Sequence, residues 1–171
     1  MQQGFWEGLM QNSLREIITY ILRFYFNKEE LSKYRLTKLV YLCDWCYAVA
    51  RGKQITNIHW FFDNYGPFVW DVIDTAKQEN QLFTVHNAEN FYGQNITLIK
   101  LHQCSYNPVL SSDVKECIEY VLENTKNLDL EEFTNLVYAT YPIKTSRRYT
   151  NLDLVQKAKE YNKLRNYAKS N

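Results

Sequence analysis

Little in this chain permits a loop-rich or disordered state: only five of its 171 residues are glycine and three are proline. No apolar run is long enough to cross a bilayer. The most apolar stretch, Leu39 to Ala50, is short and is broken by Asp44. The start, Met1-Gln2-Gln3-Gly4-Phe5, has no basic segment followed by an apolar one, so no targeting signal is expected. Four cysteines do not make a disulfide scaffold at this length, which fits a reduced, cytoplasmic setting. There is no glycine-rich phosphate loop. The three histidines, His59, His86 and His102, lie in no nucleophile or metallohydrolase motif. Glu29-Glu30 and Glu131-Glu132 read as first-turn charges that complement helix dipoles rather than as a catalytic pair. The expectation is a protein that is not an enzyme, with no cofactor and no metal.

What the chain does have is aromatic mass. Its 14 Tyr, 9 Phe and 4 Trp make 16% of the residues, enough for one well-filled core at this length. The periodicity is mostly helical. Leu14, Ile17, Ile18, Ile21, Leu22 and Tyr25 form a stripe behind a possible capping box of Ser13 and Glu16. Asn27 and Glu30 suit a short helix carrying Leu31 and Tyr34. Leu36, Leu39, Val40, Cys43, Cys46, Tyr47 and Ala50 share one face of a central helix over 36–51. Gly52 stands where that helix would end in a left-handed cap. Pro67 suits the first turn of a helix over 67–78. Ser111 or Ser112 and Asp129 start two more, and a last, basic helix spans 152–167. Period-two alternation near 58–63, 82–86 and 95–101 predicts strands of one small antiparallel sheet, the last two joined as a hairpin. The fold class is therefore α+β, predominantly helical.

The central helix block, Leu36-Thr37-Lys38-Leu39-Val40-Tyr41-Leu42, leads through Trp45 and Tyr47 to Arg51-Gly52-Lys53-Gln54-Ile55. The turn Tyr65-Gly66-Pro67-Phe68-Val69 follows. In this order and spacing the pieces resemble the Panacea domain, the SocA-like antitoxin family. Members carry a Lys-Leu-Leu-Tyr-like helix, a Gly-x-Pro-Leu-like exit and a Tyr-Gly-Pro-Val-like turn. The likeness is strongest from Leu36 to Ile73 and continues to about Pro142. Lys38, Leu39, Tyr41, Gly52, Tyr65, Gly66 and Pro67 carry it. Val40, Gln54-Ile55 and the inserted Phe68 depart from the pattern. The resemblance implies a domain over 1–143 that neutralises a cognate protein toxin encoded nearby, by direct contact. It does not name the toxin.

Two features invite sharper readings. Cys43-Asp44-Trp45-Cys46 has a metal or redox spacing, but it lies inside a helix pattern, and Cys104 and Cys117 supply no second pair. Core packing is the expected role. Tyr41, Trp45 and Trp70 lie off the apolar stripes of their helices, so they stand as candidate partner anchors against the alternative of covering the core. Tyr65-Gly66-Pro67 is read first as an architectural turn.

Charge is uneven. Residues 144–171 hold eight Lys/Arg and two acids, a local +6, so with a total of +1 the preceding 143 residues carry −5. This basic helical extension has three readings: a solvated helix packed on or beside the domain, a contact for an acidic partner, or a phosphate contact through Arg147, Arg148 and the lysines. Its hairpin neighbour has one lysine, Lys100, so nucleic acid is the lesser reading, and no membrane contact is expected. The alternatives to a toxin-neutralising antitoxin are a winged-helix-like DNA-binding regulator and an adaptor that delivers a bound protein to a protease.

Overall fold

The structure, a computed structural model, describes residues 14–25, 31–102 and 106–170. In chain order the elements are α1 (Leu14–Phe24), β1 (Leu31–Ser32), α2 (Lys33–Arg51), β2 (Trp60–Asp63), β3 (Gly66–Phe68), α3 (Asp71–Gln78), β4 (Phe83–Glu89), β5 (Asn95–Leu101), α4 (Ser112–Thr125), α5 (Leu130–Tyr138), α6 (Tyr141–Lys144), β6 (Thr150–Leu152) and α7 (Leu154–Lys169). The mainly helical α+β class is as the sequence predicts. Ser13 and Asn27–Glu30 lie outside the described residues. Of the short helix expected there, Leu31 and Ser32 form a strand and Tyr34 belongs to α2.

α2 is the axis. Ser32 caps it by accepting the Arg35 N–H, and Gly52 closes it at φ 73° with its N–H on the Ala48 carbonyl. The helix is buried all round rather than along one stripe. Every residue from Leu36 to Trp45 is buried, with Tyr47 and Ala48, whereas Ala50 is exposed. The reason is that α1, α3, α4 and α7 all pack on it. α1 is tied down by the buried Glu16, whose carboxylate accepts from the Tyr106 hydroxyl and from the Val109 N–H at 2.8 Å.

The single expected sheet is in fact two. β1-β5-β4 is one and β3-β2-β6 the other, both antiparallel. The chain folds back at Gly66 before it reaches α3, so β2 gains its own hairpin partner. Pro67 therefore lies in β3 and not at a helix start, and α3 begins only at Asp71. The β4–β5 hairpin runs in unbroken register from Phe83↔Leu101 to Glu89↔Asn95, its first strand ending three residues beyond the alternation over 82–86. Asn90 closes its turn by accepting the N–H groups of Tyr92 and Gln94.

α5 starts at Asp129 with a full capping box to Glu132. In the basic extension, Thr150–Leu152 pairs with β2, so Leu152, expected at the start of the last helix, lies in a strand. Leu152, Leu154 and Ala158 are buried, and α7 packs on α2. From Lys163 to Ser170 the helix end is exposed. Among the described residues no helix is long and apolar enough to cross a membrane.

Candidate protein-docking surface

Three of the motif residues, Lys38, Gly66 and Pro67, meet at one point. Lys38, in the second turn of α2 and 1% exposed, donates from Nζ to the Pro67 carbonyl at 2.8 Å. Its amine also lies 4.5 Å from the centre of the Tyr34 ring and 5.8 Å from that of Phe68. Gly66, at φ 93°, brings the hairpin so close that a Cβ there would sit 3.3 Å from the Tyr138 ring and 3.6 Å from Cε of Lys38. One lysine thus clamps the β2–β3 hairpin to the central helix. Burial lowers the amine to about 8, and Asp63 opposes that shift. Proline suits this place because β3 is an edge strand and its carbonyl, not an N–H, is what the clamp uses.

A second buried polar centre escapes the sequence reading. Asp44, 0% exposed, accepts the N–H groups of Ile55 and Thr56 at 3.0 and 2.9 Å, the Thr56 hydroxyl, and the Trp60 indole N–H at 2.8 Å. Burial pushes its carboxyl up and these hydrogen bonds pull it down, with burial prevailing. The network folds the segment after Gly52 back over α2. The signal was an acid in the middle of the most apolar stretch, framed by two cysteines that drew attention to themselves. Those cysteines are free: Cys43 is buried, Cys46 and Cys117 half-buried, and burial raises all three thiols. Cys104 lies outside the described residues, among which no His, Cys, Asp or Glu group is placed to hold a metal. His59 is exposed; His86 and His102 are half-buried on the hairpin.

The aromatic candidates divide. Tyr41 and Trp45 are core residues, which corrects their reading as anchors. Tyr41 is 0% exposed, bonds Thr140 Oγ1 at 2.9 Å and stands edge-on to Trp60 at 5.4 Å. Trp45 is 7% exposed and covered by Tyr161 of α7 at 5.6 Å. Their off-stripe positions face β2 and the residue before α6 for Tyr41, and α7 for Trp45, not water.

Trp70 is the reverse case. It is 60% exposed at the start of α3, edge-on to half-buried Phe68 at 5.2 Å, with the Lys33 ammonium 5.1 Å from its ring centre. Arg147 and Arg148 are exposed in the turn before β6. Tyr149 follows them and donates its N–H to the Phe62 carbonyl at 2.6 Å, which sets the pair beside the β2–β3 turn that carries Tyr65, 72% exposed. Two groups therefore flank β3: exposed Trp70 with half-buried Phe68 and Lys33 where the strand ends, and exposed Tyr65, Arg147 and Arg148 where it begins. Leu39, the remaining motif residue, is wholly buried.

An open cleft of about 1100 Å³ lies elsewhere, between residues 53–59, the 109–111 segment and Val155. Tyr47 donates to Asp113 at 2.6 Å on its wall.

The model of the antitoxin SocA-like family, Panacea domain, matches residues 36–142, the span from the start of the motif helix to the proline of α6. No curated protein and no solved structure matches the chain.

Proposed function

The chain belongs to the antitoxin SocA-like, Panacea domain family, and from that premise we propose that it neutralises a cognate protein toxin, encoded nearby, by direct contact in the cytoplasm. The observation that carries this reading is the exposed Trp70, edge-on to Phe68 and flanked by Lys33, just past an edge strand clamped to the core. A large aromatic held at one orientation loses little side-chain freedom on binding, which is what an interface anchor requires. Neutralisation of this kind is occupancy, one surface covering another, and asks for no catalytic group. The near-neutral total charge and the single lysine of the hairpin favour a protein partner over nucleic acid.

The test is co-expression with the product of the adjacent reading frame. Growth arrest by that product should be relieved, the two proteins should co-purify, and Trp70→Ala should lose both effects with its circular dichroism unchanged. Rescue with no complex, or a complex indifferent to Trp70→Ala, counts against this surface. Tight binding of duplex DNA with no binding of the neighbour would favour the regulator instead.

A further inference from the structure

We propose that the turn Arg147-Arg148-Tyr149, together with Tyr65, is a preformed acceptor for an acidic patch on the partner protein. The inference rests on the antitoxin reading and names the chemistry that its second exposed group recognises.

The backbone is the first observation. Tyr149 adopts φ 64°, the sole non-glycine residue at positive φ among the described residues. A glycine would take this conformation without strain, and a bulky side chain there is unfavourable. Packing does not compensate, because Tyr149 is 63% exposed and its hydroxyl makes only a long contact, 3.4 Å, to Asn64 Oδ1. Strain held in place without a packing return points to a use for the side chain outside the chain itself.

The turn is also rigid. The Tyr149 N–H is bonded to Phe62, the Thr150 hydroxyl reaches back to the Arg147 carbonyl at 2.7 Å, and Thr150 is paired with Phe62 across the β6–β2 ladder. Two exposed arginines are thereby held in one turn, next to the exposed Tyr149 and beside the β2–β3 turn that carries Tyr65. Neither guanidinium has a hydrogen bond, ion pair or ring contact among the described residues. Tyrosine and arginine on a prepaid backbone are the composition of interface hot spots.

Charge selects the partner. The segment that holds the turn carries +6 and the rest of the chain −5, so an acidic surface is attracted to this end and repelled from the remainder. Two arginines in one turn make too short a track for a duplex, whose affinity is built from many phosphate contacts. They match one cluster of carboxylates, which arginine grips bidentately.

The experiment uses the full chain and the purified product of the adjacent reading frame, with surface plasmon resonance from low to high salt. The expected result is that R147A/R148A weakens binding at least tenfold at low salt, mainly through the association rate, and that the difference shrinks at high salt. Y149G should also weaken binding while raising the melting temperature, because glycine relieves the backbone. A merely structural turn would not part stability from affinity in this way. If the neighbour binds the wild type and both variants alike, this inference falls and the antitoxin reading stands. If the neighbour does not bind the wild type at all, both fall. Binding of a duplex DNA that R147A/R148A abolishes would give the turn to phosphate and overturn the proposal.

Discussion

Asp44 accepts the indole N–H of Trp60 at 2.8 Å at a point where both side chains are wholly buried. The same carboxylate holds the N–H groups of Ile55 and Thr56, so one acid ties together a helix, the loop that leaves it and the first strand of a sheet. Asp44→Ala should strand four buried donors, the Thr56 hydroxyl included, and cost about 3–5 kcal/mol. Asp44→Asn keeps one acceptor oxygen and should cost less, about 1–3 kcal/mol. Urea unfolding of the two variants, read as midpoint shifts at constant slope, checks the order.

The Lys38 clamp predicts a pH dependence. Its amine titrates at about 8 in the fold and at the ordinary value of 10.5 when unfolded. Below pH 8 both states hold the proton and the buried charge is a full cost. Between these values the unfolded chain holds more protons, so this group favours folding increasingly as pH rises. The thiols act oppositely: Cys46 and Cys117 are pushed up to about 11 and about 12, and Cys43 is raised as well, so the fold retains protons that the unfolded chain releases above pH 9. Wild-type stability should therefore change little up to about pH 9 and then fall. Against Lys38→Met, which lacks the amine, the wild type should gain about 1 kcal/mol between pH 7.5 and 9. Unfolding free energies of both proteins at three pH values test this, and a constant difference would contradict it.

Gly66→Ala addresses the other half of the clamp. The residue sits at φ 93°, and a Cβ would press on the Tyr138 ring at 3.3 Å. Strain and contact together should cost about 1–3 kcal/mol. At Gly52, φ 73°, a Cβ would meet nothing within 4 Å, so alanine there should cost only the backbone term, about 1–2 kcal/mol. Thermal melts of the two variants should rank in that order.

Much of this was legible in the chain. The hairpin ending at Leu101, the start of α5 at Asp129 and the glycine cap at Gly52 each follow from local chemistry, and local chemistry decides them. Pro67 was misread because proline suits a first helical turn and an edge strand equally; the reach of Lys38, twenty-nine positions away in the hydrogen bond it makes, selects the strand. Tyr41 and Trp45 were misread because a helical wheel sees one buried face, and α2 has no other kind. The partners that cover them, Thr140 and Tyr161, lie at least 99 residues on. Polar residues inside the helix, Lys38 and Asp44, imitate a solvent face while each is satisfied internally. Nothing in the sequence marks Tyr149 as a residue at positive φ.

Trp45 and Trp70 give the sharpest functional contrast, since the sequence offers them as equals and the fold does not. Trp45→Ala removes a ring that is 7% exposed and packed on Tyr161, so it should cost about 3–5 kcal/mol of stability and loosen α7. Any loss of toxin binding would then follow the loss of fold. Trp70→Ala removes a ring that is 60% exposed, so stability should move by no more than about 0.5 kcal/mol. If Trp70 anchors the partner, its loss should cost at least ~2 kcal/mol of binding, about thirtyfold in affinity. Calorimetric titration of both variants with the adjacent gene's product, beside their melts, separates the two effects. Unchanged affinity in Trp70→Ala would move the docking surface away from the end of β3.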